Sequence, residues 1–135
     1  MYDHILLPIA LDHNPQKGPA MQIAQTLLSE TGKITVLSVV EMAPSYVDAH
    51  VPVEMKAQQV EETKNLVQEF AAIYPKCEAH VVYGHAANSI LSFAGEHDVD
   101  CIIIASHKPG LADYLIGSTA NRVVRHAQCN VHVVR

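Results

Sequence analysis

Apolar runs of strand length alternate with segments of helical period along the chain, and this alternation restricts the possible folds more than any other feature. The strand-length runs are His4–Ala10, Ile34–Val40, Glu78–Tyr83, Cys101–Ala105 and Val131–Val134. Four of these five runs place Val, Ile or Leu at consecutive positions rather than at every second one. Strands with that pattern are covered on both faces, so we predict a parallel sheet.

Four segments of helical period separate the predicted strands. They are Pro19–Glu30, Val53–Tyr74, Ala86–Glu96 and Ser118–Gln128. In the first segment the apolar residues between Ala20 and Leu28 recur at i, i+3 and i+4, and Gly32 follows as a C-terminal stop. In the second segment one stripe is formed by Val60, Thr63, Val67, Phe70 and Tyr74. We therefore predict four helices, one in each connection.

This order of elements predicts a particular topology. Parallel strands joined through helices require right-handed crossovers, and the doubly wound order 3-2-1-4-5 covers both faces of the sheet with helices. A chain of 135 residues has room for one domain. We predict an α/β fold, a single doubly wound domain over residues 1–135 with a five-stranded parallel sheet.

Composition and charge exclude several classes of protein. With 49% apolar and 17% charged residues the chain is not of the disordered class. Its formal charge of -5 provides no basic field for a phosphate backbone, so nucleic acid is not an expected partner. The longest uncharged apolar stretch, Ile5 to Leu11, is far shorter than the ~20 residues that span a bilayer, so no membrane association is expected. The first residues lack a basic region typical of signal peptides, and we expect a cytoplasmic location.

The metal-binding and thiol residues lack the spacing of known sites. Cys77, Cys101 and Cys129 form no CxxC pair, and we expect reduced thiols, with Cys101 and Cys129 acting as small buried hydrophobic residues. The nine histidines show no HxH, HxxH or HxxxH spacing. The sequence therefore predicts no metal site.

The predicted topology directs attention to two connections. Ligands of open α/β sheets bind beyond the carboxyl ends of the strands, where the strand order reverses, so the segments of interest are Ile9–Gly18 and Ala105–Ser118. Gly117 and Ser118 stand at the start of the last predicted helix, where unpaired N–H groups favour an anion, and Lys108 could add charge. The alternative is that Ser118 is only an N-cap and Gly117 only a turn residue. The residues alone favour neither interpretation.

Three segments of the C-terminal third carry a resemblance to a known family. They are Ile104-Ala105-Ser106-His107-Lys108-Pro109, then Tyr114-Leu115-Ile116-Gly117-Ser118, then Arg122-Val123-Val124-Arg125-His126-Ala127. Together with the opening Ile5-Leu6-Leu7-Pro8 and the closing residues 131–135, they resemble the universal stress protein family over essentially the whole chain. Within that family the likeness is to the small F/G-type bacterial subgroup, which also has Ala-Ser-His followed by a basic residue and Pro.

The resemblance implies a nucleotide-binding α/β domain, often dimeric, that holds ATP with or without Mg²⁺. The family's phosphate motif is Gly-x-x-Gly followed further on by Gly-Ser or Gly-Thr. Gly117 and Ser118 match its second half, whereas Ala105 and Lys108 stand in place of the two earlier glycines. The F/G-type subgroup shares these two departures.

Other parts of the implied site follow from the same likeness. The family places an Asp two residues beyond the Pro of the first strand, where this chain has Ala10, and Asp12 lies two residues later. Val39 would offer backbone groups to adenine. The nucleotide site that the resemblance implies comprises Pro8, Ile9, Ala10, Asp12, Val39, Ala105, Ser106, His107, Lys108, Gly117, Ser118 and Thr119.

Two functions stay open at this point. The first is an ATP-binding regulatory protein with at most slow hydrolysis, because no general base or metal-binding carboxylate is visible beside the loop. The second is a family member that binds no nucleotide and acts as a protein-interaction dimer, with a protein partner that the sequence leaves unknown. In either case we predict a homodimer through the edge strand Val131–Val134, and the long connection Glu41–Pro52 is expected to be a mobile candidate lid.

Overall fold

Five parallel strands form the centre of the computed structural model, which describes residues 1–10, 19–106 and 117–135. The strands are β1 (Tyr2–Pro8), β2 (Leu28–Glu41), β3 (Cys77–Gly84), β4 (Cys101–Ala105) and β5 (Asn130–Val134). The helices within the described ranges are α1 (Ala20–Leu27), α2 (Ser45–Asp48), α3 (Val53–Ala72), α4 (Ala86–Glu96) and α5 (Ser118–His126).

The strands lie in the order β3-β2-β1-β4-β5, and every pairing is parallel. In the register of the sheet Ile5 lies beside Ile34 of β2 on one side and Cys101 of β4 on the other. β1 is therefore central, and the chain winds outward from it in both directions. The predicted fold class and strand order are confirmed.

Each face of the sheet packs against its own pair of long helices. Ile5 and Leu7 belong to a core cluster with residues of α1 and α3, whereas the intervening Leu6 packs with residues of α4 and α5. Alternate residues of a strand point to opposite faces, so a strand covered on both faces needs apolar side chains at consecutive positions. The consecutive pattern in the sequence has this physical cause.

The boundary between α1 and β2 differs from the prediction. The helix ends at Leu27 rather than Glu30, and β2 begins at once with Leu28, which pairs with Tyr2. Four residues of β2, 29–32, then lie opposite the single residue Asp3 of β1 before Lys33 pairs with His4, so the first part of β2 is irregular. The sequence predicted a helix here because the apolar spacing to Leu28 fits both structures.

Gly32 was predicted to end the first helix, but it lies in this irregular part of β2. A Cβ atom on Gly32 would lie 3.0 Å from the carbonyl oxygen of Asp3 and 2.7 Å from Cδ1 of Leu28. The close approach of β1 and β2 therefore leaves no room for a side chain at this position.

Smaller differences affect other element boundaries. The connection between β2 and the long helix contains α2, and α3 ends at Ala72 rather than Tyr74. α5 ends at His126 rather than Gln128, because Ala127 already has extended backbone angles. The strands β1 and β5 each begin earlier than predicted, at Tyr2 and Asn130.

A polar network, buried at His4 and Thr35 and exposed at Glu78, connects three strands at the amino edge of the sheet. His4 is 7% exposed, and its Nδ1 lies 2.9 Å from the carbonyl oxygen of His97, which follows α4. Its Nε2 lies 2.8 Å from Oγ1 of Thr35, and that hydroxyl lies 3.3 Å from a carboxylate oxygen of Glu78. Glu78 also pairs with Lys33 at 3.1 Å. Burial opposes ionisation of Glu78, but the bonds from Lys33 and Thr35 outweigh it and lower the pKa of the carboxyl.

We predict that Thr35→Val destabilises the protein by about 1–3 kcal/mol, because it leaves Nε2 of His4 buried without a partner. The matched control is Thr26→Val on the exposed face of α1, which should change the free energy of unfolding by less than about 0.5 kcal/mol. Urea denaturation of both variants measures the difference. Equal stabilities for the two variants would show that the network contributes nothing.

Candidate functional site

A cavity of about 750 Å³ opens at the carboxyl edge of the sheet. It lies where the chain leaves β1 toward one face and β4 toward the other, as expected for the point at which strand order reverses. Among the described residues its lining comprises Pro8, Ile9, Ala10, Leu37, Ser38, Val39, Val40, Glu41, Gln59, Thr63, Ala86, Ile90, Ile104, Ala105, Ser106, Gly117, Ser118, Thr119 and Ala120.

The floor of the cavity is formed by the ends of three neighbouring strands. The chain beyond β1 stays attached to β2 through a hydrogen bond from the N–H of Ile9 to the carbonyl oxygen of Leu37, at 2.9 Å. β4 ends at Ala105, and the N–H of Ser106 donates to the carbonyl oxygen of Val134 in β5, at 2.8 Å. These bonds hold the strand ends in place around the cavity.

The first turn of α5 presents backbone donors to the cavity. The N–H of Gly117 donates to the carbonyl oxygen of Ser106, which closes the base of the connection between β4 and α5. The N–H groups of Ser118, Thr119 and Ala120 have no acceptor within the part of the chain that the structure describes. Three free N–H groups at the positive end of a helix favour an anion.

Ser118 is the first residue of α5 and not its N-cap. The N-cap position belongs to Gly117, whose carbonyl oxygen accepts the N–H of Asn121 at 2.9 Å. The interpretation of Ser118 as a side-chain cap is therefore wrong. Its hydroxyl is exposed at the rim and has no partner among the described residues.

Most of the residues predicted from the family resemblance meet at this cavity. The lining contains Pro8, Ile9, Ala10, Val39, Ala105, Ser106, Gly117, Ser118 and Thr119. Asp12, His107 and Lys108 lie outside the described residues. The structure thus groups nine of the predicted positions around one space, and their role in binding stays a prediction.

The sequence analysis missed the contribution of α3 to the lining. Gln59 and Thr63 are one turn apart on that helix, and both line the cavity. The sequence analysis assigned Thr63 to the apolar stripe of this helix. Its polar side chain lies at i+4 from Gln59, and that spacing indicates that the two polar side chains share one face of the helix. The sequence analysis also missed Ser38 and Glu41 near the end of β2. The residue pattern of a strand indicates which side chains are buried, but it does not indicate what surrounds the end of the strand.

The connection between β2 and α3 is fastened to the sheet. Tyr83 at the end of β3 donates its hydroxyl to Oδ1 of Asp48 at 2.5 Å, and Nζ of Lys56 lies 2.7 Å from Oδ2 of the same carboxylate. Lys56 also lies over the ring of Tyr83, 5.7 Å from its centroid. α2 and these bonds give the segment defined structure, and its expected role as a mobile lid stays a prediction.

These contacts shift two pKa values in opposite directions. The bonds from Lys56 and then Tyr83 lower the pKa of Asp48. The bond to Asp48 raises the pKa of the Tyr83 hydroxyl. The attachment is therefore complete between the ordinary pKa of Asp, about 3.9, and that of Tyr, about 10. It weakens as pH falls through the lowered pKa of Asp48 or rises through the raised pKa of Tyr83.

The described residues show no other arrangement of metal-binding or reactive groups. No group of three His, Cys, Asp or Glu among them could hold a metal ion. Burial raises the pKa of the Cys77 and Cys101 thiols to about 11 and that of Cys129 also upward, so all three are weak nucleophiles. None of the helices described is long and apolar enough to cross a membrane.

The chain is similar to known proteins over its full length. The family model described as "Universal stress protein family" matches residues 1–135. Universal stress protein G of Shigella flexneri is 28% identical over 142 aligned positions that cover 100% of both chains.

Solved structures show the same fold. The structure of hypothetical protein MJ0577 has a TM-score of 0.79 at 25% identity, covering 99% of this chain and 96% of that one. The universal stress protein from Archaeoglobus fulgidus in complex with dAMP has a TM-score of 0.67 at 17% identity, covering 99% and 98%. A universal stress protein in complex with cAMP has a TM-score of 0.60 at 18% identity, covering 99% and 97%.

We predict that Asp48→Asn lowers the pKa of Tyr83 toward its ordinary value of about 10, because the negative charge that opposes tyrosinate is removed. Alkaline titration of the tyrosinate absorbance measures it, with Tyr83→Phe identifying which of the five tyrosines responds. The control is Asp98→Asn, which follows α4 at the other edge of the sheet. If Tyr83 titrates identically in the parent and in Asp48→Asn, this bond does not hold α2.

Proposed function

Because the chain belongs to the universal stress protein family, we propose that it binds an adenine nucleotide, with ATP as the principal ligand, in the cavity at the carboxyl edge of the sheet. We further propose that it acts as a cytoplasmic regulatory protein of the stress response and not primarily as an enzyme. The observation that carries this proposal is the first turn of α5, which lines a cavity of about 750 Å³ with three N–H groups that have no acceptor among the described residues.

The volume and lining of the cavity support the proposal that it binds a small organic anion. Small-molecule sites typically occupy about 300–1,000 Å³ and combine apolar walls with a few polar groups. Here Ile9, Val39, Ile90 and Ile104 supply apolar walls, and the start of α5 supplies the anion site. The proteins solved with dAMP and with cAMP share the fold, which makes an adenine nucleotide the first ligand to test.

At most slow hydrolysis is proposed. Phosphoryl transfer requires cations that neutralise the phosphates and a group that positions the attacking water. Among the described lining residues Glu41 is the single ionisable side chain, and it lies at the end of β2, away from α5. Any Mg²⁺ would arrive with the phosphates of the nucleotide, since the described part of the chain has no three-ligand cluster to hold one.

The second candidate is a protein-interaction dimer that binds no nucleotide. Ala10 and Ala105 line the cavity at positions where the family's nucleotide-binding pattern has Asp and Gly, which favours this reading. The outer edge of β5 also favours it, because β5 pairs only with β4 among the described strands and a strand paired on one side exposes N–H and C=O groups. Direct measurement of nucleotide binding separates the two candidates.

We predict that Ser118→Ala weakens ATP binding about ten- to a hundredfold, because a hydroxyl bond to a charged phosphate is lost. The stability of the protein without ligand should barely change, since Ser118 does not cap the helix. Ser92→Ala, at an exposed position of α4, is the matched control. Isothermal titration calorimetry measures the affinities of both variants for ATP and for adenosine.

A lysine outside the described residues provides a second arm of this test. Lys108→Ala should weaken ATP more than adenosine, and added salt should reduce the gap, whereas Lys64→Ala on α3 should affect neither ligand. No binding of ATP by the parent at millimolar concentration would contradict the nucleotide proposal and favour the interaction dimer.

We also predict a two-fold dimer in which β5 pairs with β5 of a second copy. β5 pairs with β4 alone in the described sheet, and His132 is its exposed middle residue. His132→Asp should raise the dimer dissociation constant, because like charges would meet near the symmetry axis. Sedimentation equilibrium of the parent at micromolar concentration should give twice the mass of one chain, and a monomer mass would contradict the dimer.

A further inference from the structure

We propose that Tyr46, Val47, Val53 and Met55 form a docking surface for a protein partner whose contact segment carries apolar side chains flanked by Lys or Arg. These four residues, the apolar patch, lie on α2 and on the first turn of α3. The proposal goes beyond the nucleotide site, because none of the four residues lines the cavity and docking needs no nucleotide.

Large apolar side chains are exposed more densely at the patch than elsewhere in the described chain. Eight such side chains are exposed within residues 1–10, 19–106 and 117–135, and four of the eight lie between Tyr46 and Met55. Tyr46 is 75% exposed and Val53 is 76% exposed. Single exposed apolar residues are ordinary on a protein surface, whereas a group of them is typical of a surface that another molecule covers.

Bonds between α2 and α3 hold the two halves of the patch together. Oδ2 of Asp48, the residue after Val47, lies 2.7 Å from Nζ of Lys56. Lys56 in turn directly follows Met55. The turn between the helices is closed by a hydrogen bond from the N–H of Val51 to the carbonyl oxygen of Asp48, at 3.1 Å. The exposed side chains of α2 and of the first turn of α3 therefore belong to one ordered segment.

Polar and apolar side chains have exchanged their usual positions in this segment. The side chain of Asp48 is only 16% exposed, because it is bound to Lys56 and to the hydroxyl of Tyr83 in β3. Tyr46 and Val53 extend into solvent instead. Because these bonds already order the segment, a partner that covers the patch would meet a surface in place, which lowers the entropic cost of association.

The charges around the patch are negative. Lys56 is paired with Asp48, and no other Lys or Arg occurs between residues 41 and 63. The other carboxylates of that range are all exposed, at Glu41, Glu54, Glu61 and Glu62. Glu54 and Glu61 are seven positions apart on α3, so they lie on one side of the helix, about two turns from each other. A partner segment with Lys or Arg beside its apolar residues complements this arrangement.

The same charges argue against other occupants of the patch. Two copies of the patch in contact would bring the glutamates of both chains to one interface without cations to pair them. Nucleic acid and anionic lipid carry the same sign of charge as these glutamates and would be repelled. The composition of the patch agrees with a protein partner, because Tyr and Met are enriched in protein interfaces and Tyr is common among the residues that dominate binding energy.

The test uses a synthetic amphipathic helical peptide of Leu and Lys, the Leu/Lys peptide, as the probe. We expect it to bind the intact chain, and Val53→Ser and Tyr46→Ser should each weaken this binding about three- to thirtyfold. Val124→Ser on α5 is the matched control, because Val124 is also exposed but its helix packs on the opposite face of the sheet from α3. Isothermal titration calorimetry measures the affinities.

A second arm tests the charge of the partner. A Leu/Glu peptide, in which Glu replaces every Lys, should bind the parent about tenfold more weakly than the Leu/Lys peptide. Glu54→Gln should weaken the Leu/Lys peptide about two- to fivefold at low salt, and added salt should remove the difference. Glu96→Gln at the end of α4 is the control and should bind as the parent does. Amide hydrogen exchange within residues 45–56 should slow when the Leu/Lys peptide is added.

Three results would overturn the proposal, and each identifies the part that is wrong. If the parent binds no Leu/Lys peptide at millimolar concentration, or if Val124→Ser weakens it as much as Val53→Ser, the patch is not the docking surface. If the Leu/Glu peptide binds as tightly as the Leu/Lys peptide, the partner is not basic. If Tyr46→Ser lowers the mass of the protein in sedimentation equilibrium without peptide, a second copy of the chain covers the patch.

Discussion

The central position of β1 is the constraint on which the rest of the molecule depends. β1 has β2 on one side and β4 on the other, so helices must cover both of its faces. The chain therefore leaves β2 toward one face of the sheet and β4 toward the other. The apolar run Ile5 to Leu7, at most 1% exposed, is the direct result. The cavity is a second result, because diverging connections cannot fill the space above the end of the central strand.

The two walls of this cavity differ in chemistry, and the difference derives from the elements that form them. The α5 wall consists of a helix start, whose free N–H groups are a property of the backbone and independent of side-chain identity. The α3 wall is formed by the side of a helix, so its chemistry depends on the residues present, here Gln59 and Thr63. Replacement of the family's glycine by Ala105 therefore leaves the helix-start donors intact.

Sequence patterns predicted the parts of the structure that repeat and missed the parts that depend on neighbours. Consecutive Val, Ile and Leu identified the strands because burial on two faces needs apolar residues at every position. The predicted end of α1 was wrong because Leu28 fits a helical stripe as well as it fits a strand. Its pairing with Tyr2 places Leu28 in β2. Ser38, Gln59 and Thr63 were missed because their shared surface exists only after β2 and α3 pack together.

The amino and carboxyl edges of the sheet differ in whether their polar groups have hydrogen-bond partners. At the amino edge, the buried His4 and Thr35 use their polar atoms on each other, on the backbone and on the exposed carboxylate of Glu78. At the carboxyl edge, the hydroxyl of Ser38 and the first N–H groups of α5 have no partner among the residues that the structure describes. Because the edge that secures the strands is remote from the edge at which we propose that ligands bind, substitutions at the latter should cost the fold little. The residues that line the cavity can therefore be exchanged while the chain remains folded.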